Sequence, residues 1–305
     1  MCLVLVTLMA GSSGNRSDKA AGKRPAKSPQ EKAPAKKSKA KQTPGASSSS
    51  QPPQKYDKTR FDSAKAAQLY TKLKTTRKFI PERGINPRHM DDDRLAPLIE
   101  HLGWQKLAAH PTENASKELA LEVYANMADS TRMDDIFVRN HHIDFSADAI
   151  NMHFGFPVGR GMHPAPRLQP TPWHVLCNPV KTNDDDVSEH YTNCITVPWR
   201  CLAQVWHGKV RPNLRESFTT SRVFDYIYQI AIGTHIDIGD YIQSRMLDIA
   251  HGEANITFCH LIRDLCMDQG LVFTREQLDD RRLFDFPPKG HFMVDGHAQR
   301  LRDLG

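Results

Sequence analysis

Thr219-Thr220-Ser221-Arg222-Val223-Phe224-Asp225-Tyr226-Ile227-Tyr228-Gln229-Ile230-Ala231-Ile232-Gly233 is the stretch on which the fold class turns. Val223, Ile227 and Ile230 recur at helical spacing, with Phe224, Tyr228 and Ala231 beside them, so one broad stripe is apolar. Thr220 or Ser221 leads in and Gly233 closes the helix. The same period returns in Ile242, Met246 and Ile249 behind Asp240, and in Cys259, Ile262 and Cys266 behind Thr257 with Gly270 as terminator. Three helices of about 11 to 13 residues joined by short loops are expected to pack as a bundle.

Earlier in the chain the pattern is again helical. Phe61, Ala64, Leu69 and Leu73 predict a helix of modest amphipathicity capped by Asp62 or Ser63. Lys78-Phe79-Ile80-Pro81 is extended, because a residue before proline avoids the helical region. Leu95, Leu98, Ile99 and Leu102 predict a short helix ending at Gly103, with Asp91, Asp92 and Asp93 in its first turn complementing the dipole. A further helix runs to Met127 with Asn114 or Ala115 near its start. Ile136–Arg139 and Ile143–Phe145 flank Asn140-His141 and read as a small hairpin, followed by a helix over 147–154 that Ser146 caps and Gly155-Phe156-Pro157 stops. The proline-rich stretch 157–198 reads mostly as a long surface loop, and Pro198 opens a helix containing Trp199, Leu202, Val205 and Trp206.

At its other end the chain changes character near residue 60. Between Arg16 and Arg60 there are 13 Lys/Arg against 3 Asp/Glu, a balance of +10. Phe61–Gly305 carries 28 basic against 32 acidic residues, so the overall +6 belongs wholly to the tail. Rich in Lys, Ala, Pro and Ser, with Tyr56 its one aromatic, the tail cannot bury enough apolar area to offset the entropy of ordering. The expected organisation is a disordered basic tail over 1–59, a mainly α domain with one small β-hairpin over 60–271, and an irregular charged segment over 272–305.

Lys23, Arg24 and Lys27, followed by Lys36, Lys37, Lys39 and Lys41, form the candidate nucleic-acid and nuclear-import site. The bland alternative is a solvated linker. With few arginines and aromatics to read bases, the contact expected is with phosphates and indifferent to sequence. No basic stripe is expected on the helices of the body, which is read instead as a unit that binds another protein or itself. The location expected is the nucleus, with the cytoplasm as alternative. The apolar start MCLVLVTLMA has no preceding Lys or Arg and is too short to span a bilayer, so an incidental start or an upstream extension is preferred to a secretion signal.

No residue pattern points to catalysis. Asp91–Asp93 and Asp184–Asp186 are runs of adjacent acids whose side chains diverge, whereas two-metal phosphoryl chemistry needs separated carboxylates that converge. Cys194, Cys201, His207 and His190 depart from zinc-site spacing, and Cys259 and Cys266 sit two turns apart on an apolar stripe, which suits a core role. Trp104, Trp199 and Trp206 read as core or interface aromatics. The expectation is no enzyme, no cofactor and no metal.

Taken together, Arg60-Phe61, Arg77-Lys78-Phe79-Ile80-Pro81-Glu82-Arg83-Gly84, Gly103-Trp104, Val123-Tyr124-Ala125-Asn126, Val138-Arg139, Ile143–Ser146, Ala149-Ile150-Asn151, Phe154-Gly155, Ile236–Gly239 and Leu261-Ile262 with Leu265-Cys266 resemble the "putative plant transposon protein" domain family from about Arg60 to Leu271. The resemblance implies a plant, mobile-element ancestry and no assigned activity, so it supplies no catalytic residues. It leaves open a degenerate or unrecognised enzyme of the element, or a decayed element with no present role.

Overall fold

The computed structural model describes residues 55–85, 95–156, 189–191, 195, 199–212, 218–280 and 285–287. The tail lysines and arginines from Arg16 to Lys41, Asp91–Asp93, Asp184–Asp186 and Cys194 lie outside them. Among the described residues ten α-helices and four short strands make the fold mainly α: α1 (Ala64–Thr76), α2 (Ala96–Leu102), α3 (Gln105–Ala108), α4 (Lys117–Met127), β1 (Ile136–Val138), β2 (His141–Ile143), α5 (Ala147–Phe154), β3 (Glu189–Tyr191), α6 (Trp199–Val205), β4 (Phe218–Thr220), α7 (Ser221–Ala231), α8 (Ile238–Ala250), α9 (Cys259–Asp268) and α10 (Arg275–Asp279).

Local chemistry sets most helix ends. Ser63, Ser116, Ser146, Asp237 and Thr274 each accept a backbone N–H from the first turn of the helix they precede. Four starts differ from expectation: α8 is capped by Asp237 rather than led by Asp240, and α9 follows Phe258 rather than Thr257. Ser116, not Asn114 or Ala115, caps α4, and α2 starts at Ala96 with no acid in its first turn, its Pro97 taking the place where a missing N–H is harmless.

The centre of the molecule is α4, and the three C-terminal helices do not form the bundle expected of them. Every residue of α4 from Leu119 to Met127 is buried. It packs against α1, β1, α8 and α9, while α8 lies chiefly on α5 and α4, and α7 on α6. An all-round buried helix must be covered on every side, so partners are recruited from distant parts of the chain.

The hairpin is present, one residue earlier than read. Val138 pairs with His141, so the two-residue turn is Arg139-Asn140, with φ of 49° and 65°. A second antiparallel pair, β3 with β4, interrupts the stretch read as loop, and Ile195 within it is buried. The segment after 271 is not wholly irregular either. It forms α10, and Phe286 exchanges two backbone hydrogen bonds with Ala115.

After α1, residues 77–85 run as an extended strap, as the pre-proline position requires. Ile80 N–H donates to Ile256 O at 2.8 Å and Ile85 N–H to Ala108 O at 2.8 Å. Gly84 lies so close to Ala108 and Ala109 that a Cβ there would stand 2.4 Å from both carbonyl oxygens.

Candidate functional site

Two carboxylates are buried in the body, and each is held by residues far away in sequence. Glu82, on the strap, lies at the start of α9. Phe258, the residue before that helix, has φ of 57° and offers no side-chain cap. Glu82 supplies one instead: its Oε1 accepts the N–H of His260 at 2.8 Å and of Leu261 at 3.2 Å, placing negative charge at the positive end of the helix dipole. Lys209 Nζ stands 3.7 Å from Glu82 Oε2, and His260 Nδ1 lies 3.6 Å from Oε1.

Burial alone would raise the Glu82 pKa, but its contact with His260 and the Lys209 ammonium outweigh this and hold it at about 2. Burial depresses the Lys209 ammonium, against the opposing pull of Glu82 and Asp264. The neighbouring His207 is pushed down to about 4 by burial and by Arg211 and Arg83. Lys209 and His207 face inward because α6 continues as a π-helical segment, Trp206–Val210, closed by Arg211 N–H to Trp206 O at 2.7 Å, in which all five residues are buried. A cleft of about 160 Å³ beside the pair is lined by Lys106, His110, His153 and Arg263 among others.

Glu122 is the second carboxylate, on the innermost helix. Arg60 Nε donates to its Oε1 at 2.9 Å and Arg139 Nε to its Oε2 at 2.8 Å. One helical turn to either side, the same face carries Glu118, bonded to Tyr70 and Lys74, and Asn126, whose amide donates to Arg60 O and Phe137 O. This stripe ties the entry to α1 and the hairpin turn onto α4. Both oxygens of Glu122 are held by arginines, whereas Glu82 spends Oε1 on the start of α9 and turns Oε2 toward Lys209 beside the cleft.

The other sequence candidates are dispersed. Cys201, Cys259 and Cys266 are free and buried, and burial pushes the Cys259 and Cys266 thiols up. Among the described residues no group of three or more His, Cys, Asp and Glu is arranged to hold a metal. Trp206 is fully buried and stacks on Tyr226 with centroids 4.7 Å apart, and Trp104 is also core.

Sequence reasoning missed Glu82 and Glu122. For Glu122 a signal existed: apolar residues occupy every face of Leu119–Met127, so a Glu among them is buried and requires partners. Glu82 carries no such local mark.

Among the described residues no helix is long and apolar enough to cross a membrane. No curated protein and no solved structure matches the chain. A family profile does match, over residues 100–272, which takes in the end of α2 and everything from α3 to α9 and leaves α1 and the strap outside. With more than half of its length matched, and in agreement with the resemblance carried by its motifs, the chain belongs to the family described as the putative plant retrotransposon-related domain.

Proposed function

We propose that this mobile-element-derived protein is non-enzymatic: its basic arm contacts nucleic acid through phosphates and serves as a nuclear-import address, and its helical body engages protein, either a second copy or a different chain. The partition of charge carries this reading. Ten net positive charges lie between Arg16 and Arg60, on a body that is net −4, and a flexible polycation of that kind favours a polyanion without reading its sequence. The body supports a protein-binding role through Met152 and Met267, which are 64% and 43% exposed. They adjoin His153 and Asp268, which join α5 to α9 at 2.7 Å.

The test is a salt titration of duplex binding by the full chain and by a form with all ten Lys and Arg between Arg16 and Lys41 replaced by Gln. The full chain should bind unrelated duplexes equally, with a log–log salt slope approaching about −9 if every net charge of the arm is engaged, and the arm variant should lose most of that slope. Equal slopes in the two forms, or strong discrimination between sequences, would sink the proposal. A fluorescent fusion lacking residues 16–55 should lose nuclear accumulation, and unchanged accumulation removes the import role.

A further inference from the structure

The outer face of α1 has a composition unlike the rest of the body. Ala64–Thr76 contains three lysines, Lys65, Lys72 and Lys74, and no acidic residue. Lys78 follows just past its end, and Lys55 and Lys58 precede it. All six lysines are exposed, as are Gln68, Thr71, Thr75 and Thr76. The helix buries Ala66 and Leu73 against the body, so the opposite side presents a Gln/Thr strip flanked by lysines. Lys65 and Lys72 are seven residues apart, two turns or about 10 Å along one flank. A basic stripe on a helix of the body was not expected from the sequence, because the charge average over the whole body conceals it.

We infer that this face of α1 is a second nucleic-acid contact surface, which grips the phosphodiester backbone of a duplex. The inference builds on the arm reading and shares Lys55 and Lys58 with its charge count, but rests chiefly on Lys65, Lys72, Lys74 and Lys78, which lie outside that range. Charge complementarity selects the occupant. Lys55, Lys58, Lys72 and Lys78 are exposed, and among the described residues no carboxylate pairs with them. Lys65 and Lys74 do have partners, Asp129 and Glu118, but their side chains are 74% and 53% exposed. Ion pairs that exposed contribute little to stability, so either lysine can exchange its carboxylate for a phosphate. Hydroxyl and amide groups between the lysines are the usual neutral partners of phosphate oxygens.

An anionic membrane surface is disfavoured by the same composition. A helix lying in a bilayer interface inserts large apolar side chains. The large hydrophobic residues exposed among the described ones are Met152, Ile232, Met267 and Val272, none of them on α1. The absence of exposed arginine and aromatic side chains from the strip makes base reading unfavourable, so contact is with the backbone alone.

The experiment uses the full-length chain in four forms: natural, arm variant (the ten Lys/Arg between Arg16 and Lys41 replaced by Gln), K65Q/K72Q/K78Q, and the two sets combined. Each is titrated by fluorescence anisotropy with a random-sequence DNA duplex and an RNA duplex of equal length, at several KCl concentrations, and with phosphatidylserine-containing vesicles. The arm variant should retain weak duplex binding with a salt slope of about −2 to −4, and the combined form should lose it. K72E/K78E in the arm-variant background, which touches no ion pair, should give the same loss. The unfolding midpoint should stay unchanged in each.

If the arm variant shows no residual duplex binding, or if its residual binding ignores the α1 substitutions, the surface proposal fails while the arm reading stands. If the arm variant binds as the natural chain does, the arm reading fails and the α1 comparison still decides the surface. Residual binding to vesicles but not to either duplex overturns the surface proposal.

Discussion

Glu82 accepts the backbone N–H of His260 at 2.8 Å, 178 residues along the chain, and so caps a helix to which it does not belong. The strap and the π-helical segment that presents Lys209 converge on the start of α9 through this one carboxylate. The contact ties the region before the matched family domain to its last long helix.

Removing Glu82 should therefore cost more than removing its cation. In Glu82→Ala, Lys209 loses its close carboxylate and two N–H groups of α9 lose their acceptor, a loss of about 3–5 kcal/mol. In Lys209→Met the carboxylate keeps both N–H donors and the helix dipole, so the loss should be at least about 1 kcal/mol smaller. Urea unfolding of the two variants checks the order, and equal losses would show that the cap contributes nothing beyond the ion pair.

Acid should weaken the fold in two stages. His207, whose ordinary pKa of 6.5 is pushed down to about 4, is favoured neutral in the fold, so its contribution is complete above pH 6.5 and lost as pH falls toward 4. Glu82 is favoured ionised, so its contribution is present above 4.5 and lost as pH falls toward about 2. Between pH 7 and pH 5 the first stage amounts to about 2 kcal/mol. His207→Gln should flatten that interval, whatever its effect at pH 7. Denaturant midpoints at the two pH values provide the measurement.

Gly239→Ala should be strongly destabilising. A Cβ at Gly239 would lie 2.3 Å from Ala147 O and 2.6 Å from Asn151 Oδ1, and Asn151 itself holds the Gly239 N–H at 2.9 Å and donates to the α8 cap Asp237 at 2.9 Å. Overpacking of this kind, with hydrogen bonds disturbed, should cost about 2–4 kcal/mol. A thermal unfolding midpoint lowered by several degrees is expected, and an unchanged one would mean that α5 and α8 can separate freely.

Asn140→Gly should be neutral or stabilise by up to about 1 kcal/mol, because φ of 65° in a two-residue hairpin turn suits glycine. Arg139, at φ of 49°, should not tolerate the same change, since it also holds Glu122. The two variants measured side by side separate backbone strain from ion pairing.

Much of the fold was legible because caps and periodicity are local. Ser146 caps a helix whose limits, Ala147–Phe154, are those read from the sequence, and Gly103, Gly155, Gly233 and Gly270 all take the left-handed conformation near helix ends. The hairpin was found by its Asn, but its register slipped by one because Arg139 is an unexpected residue at positive φ. The spacing puts Thr257 ahead of α9, whereas the helix starts after Phe258 and takes its cap from Glu82.

Sequence alone determined the mainly helical class, the hairpin, the family resemblance and the segregation of positive charge into the arm, since each depends on neighbours along the chain or on counting. Only the tertiary structure decided that α4 is the centre, that Glu82 and Glu122 are structural ionic ties, and that α1 turns its lysines outward, with Lys65 and Lys74 paired to Asp129 and Glu118. Those outcomes depend on which distant surfaces cover a given helix face, and periodicity marks a face as apolar without naming what will lie against it.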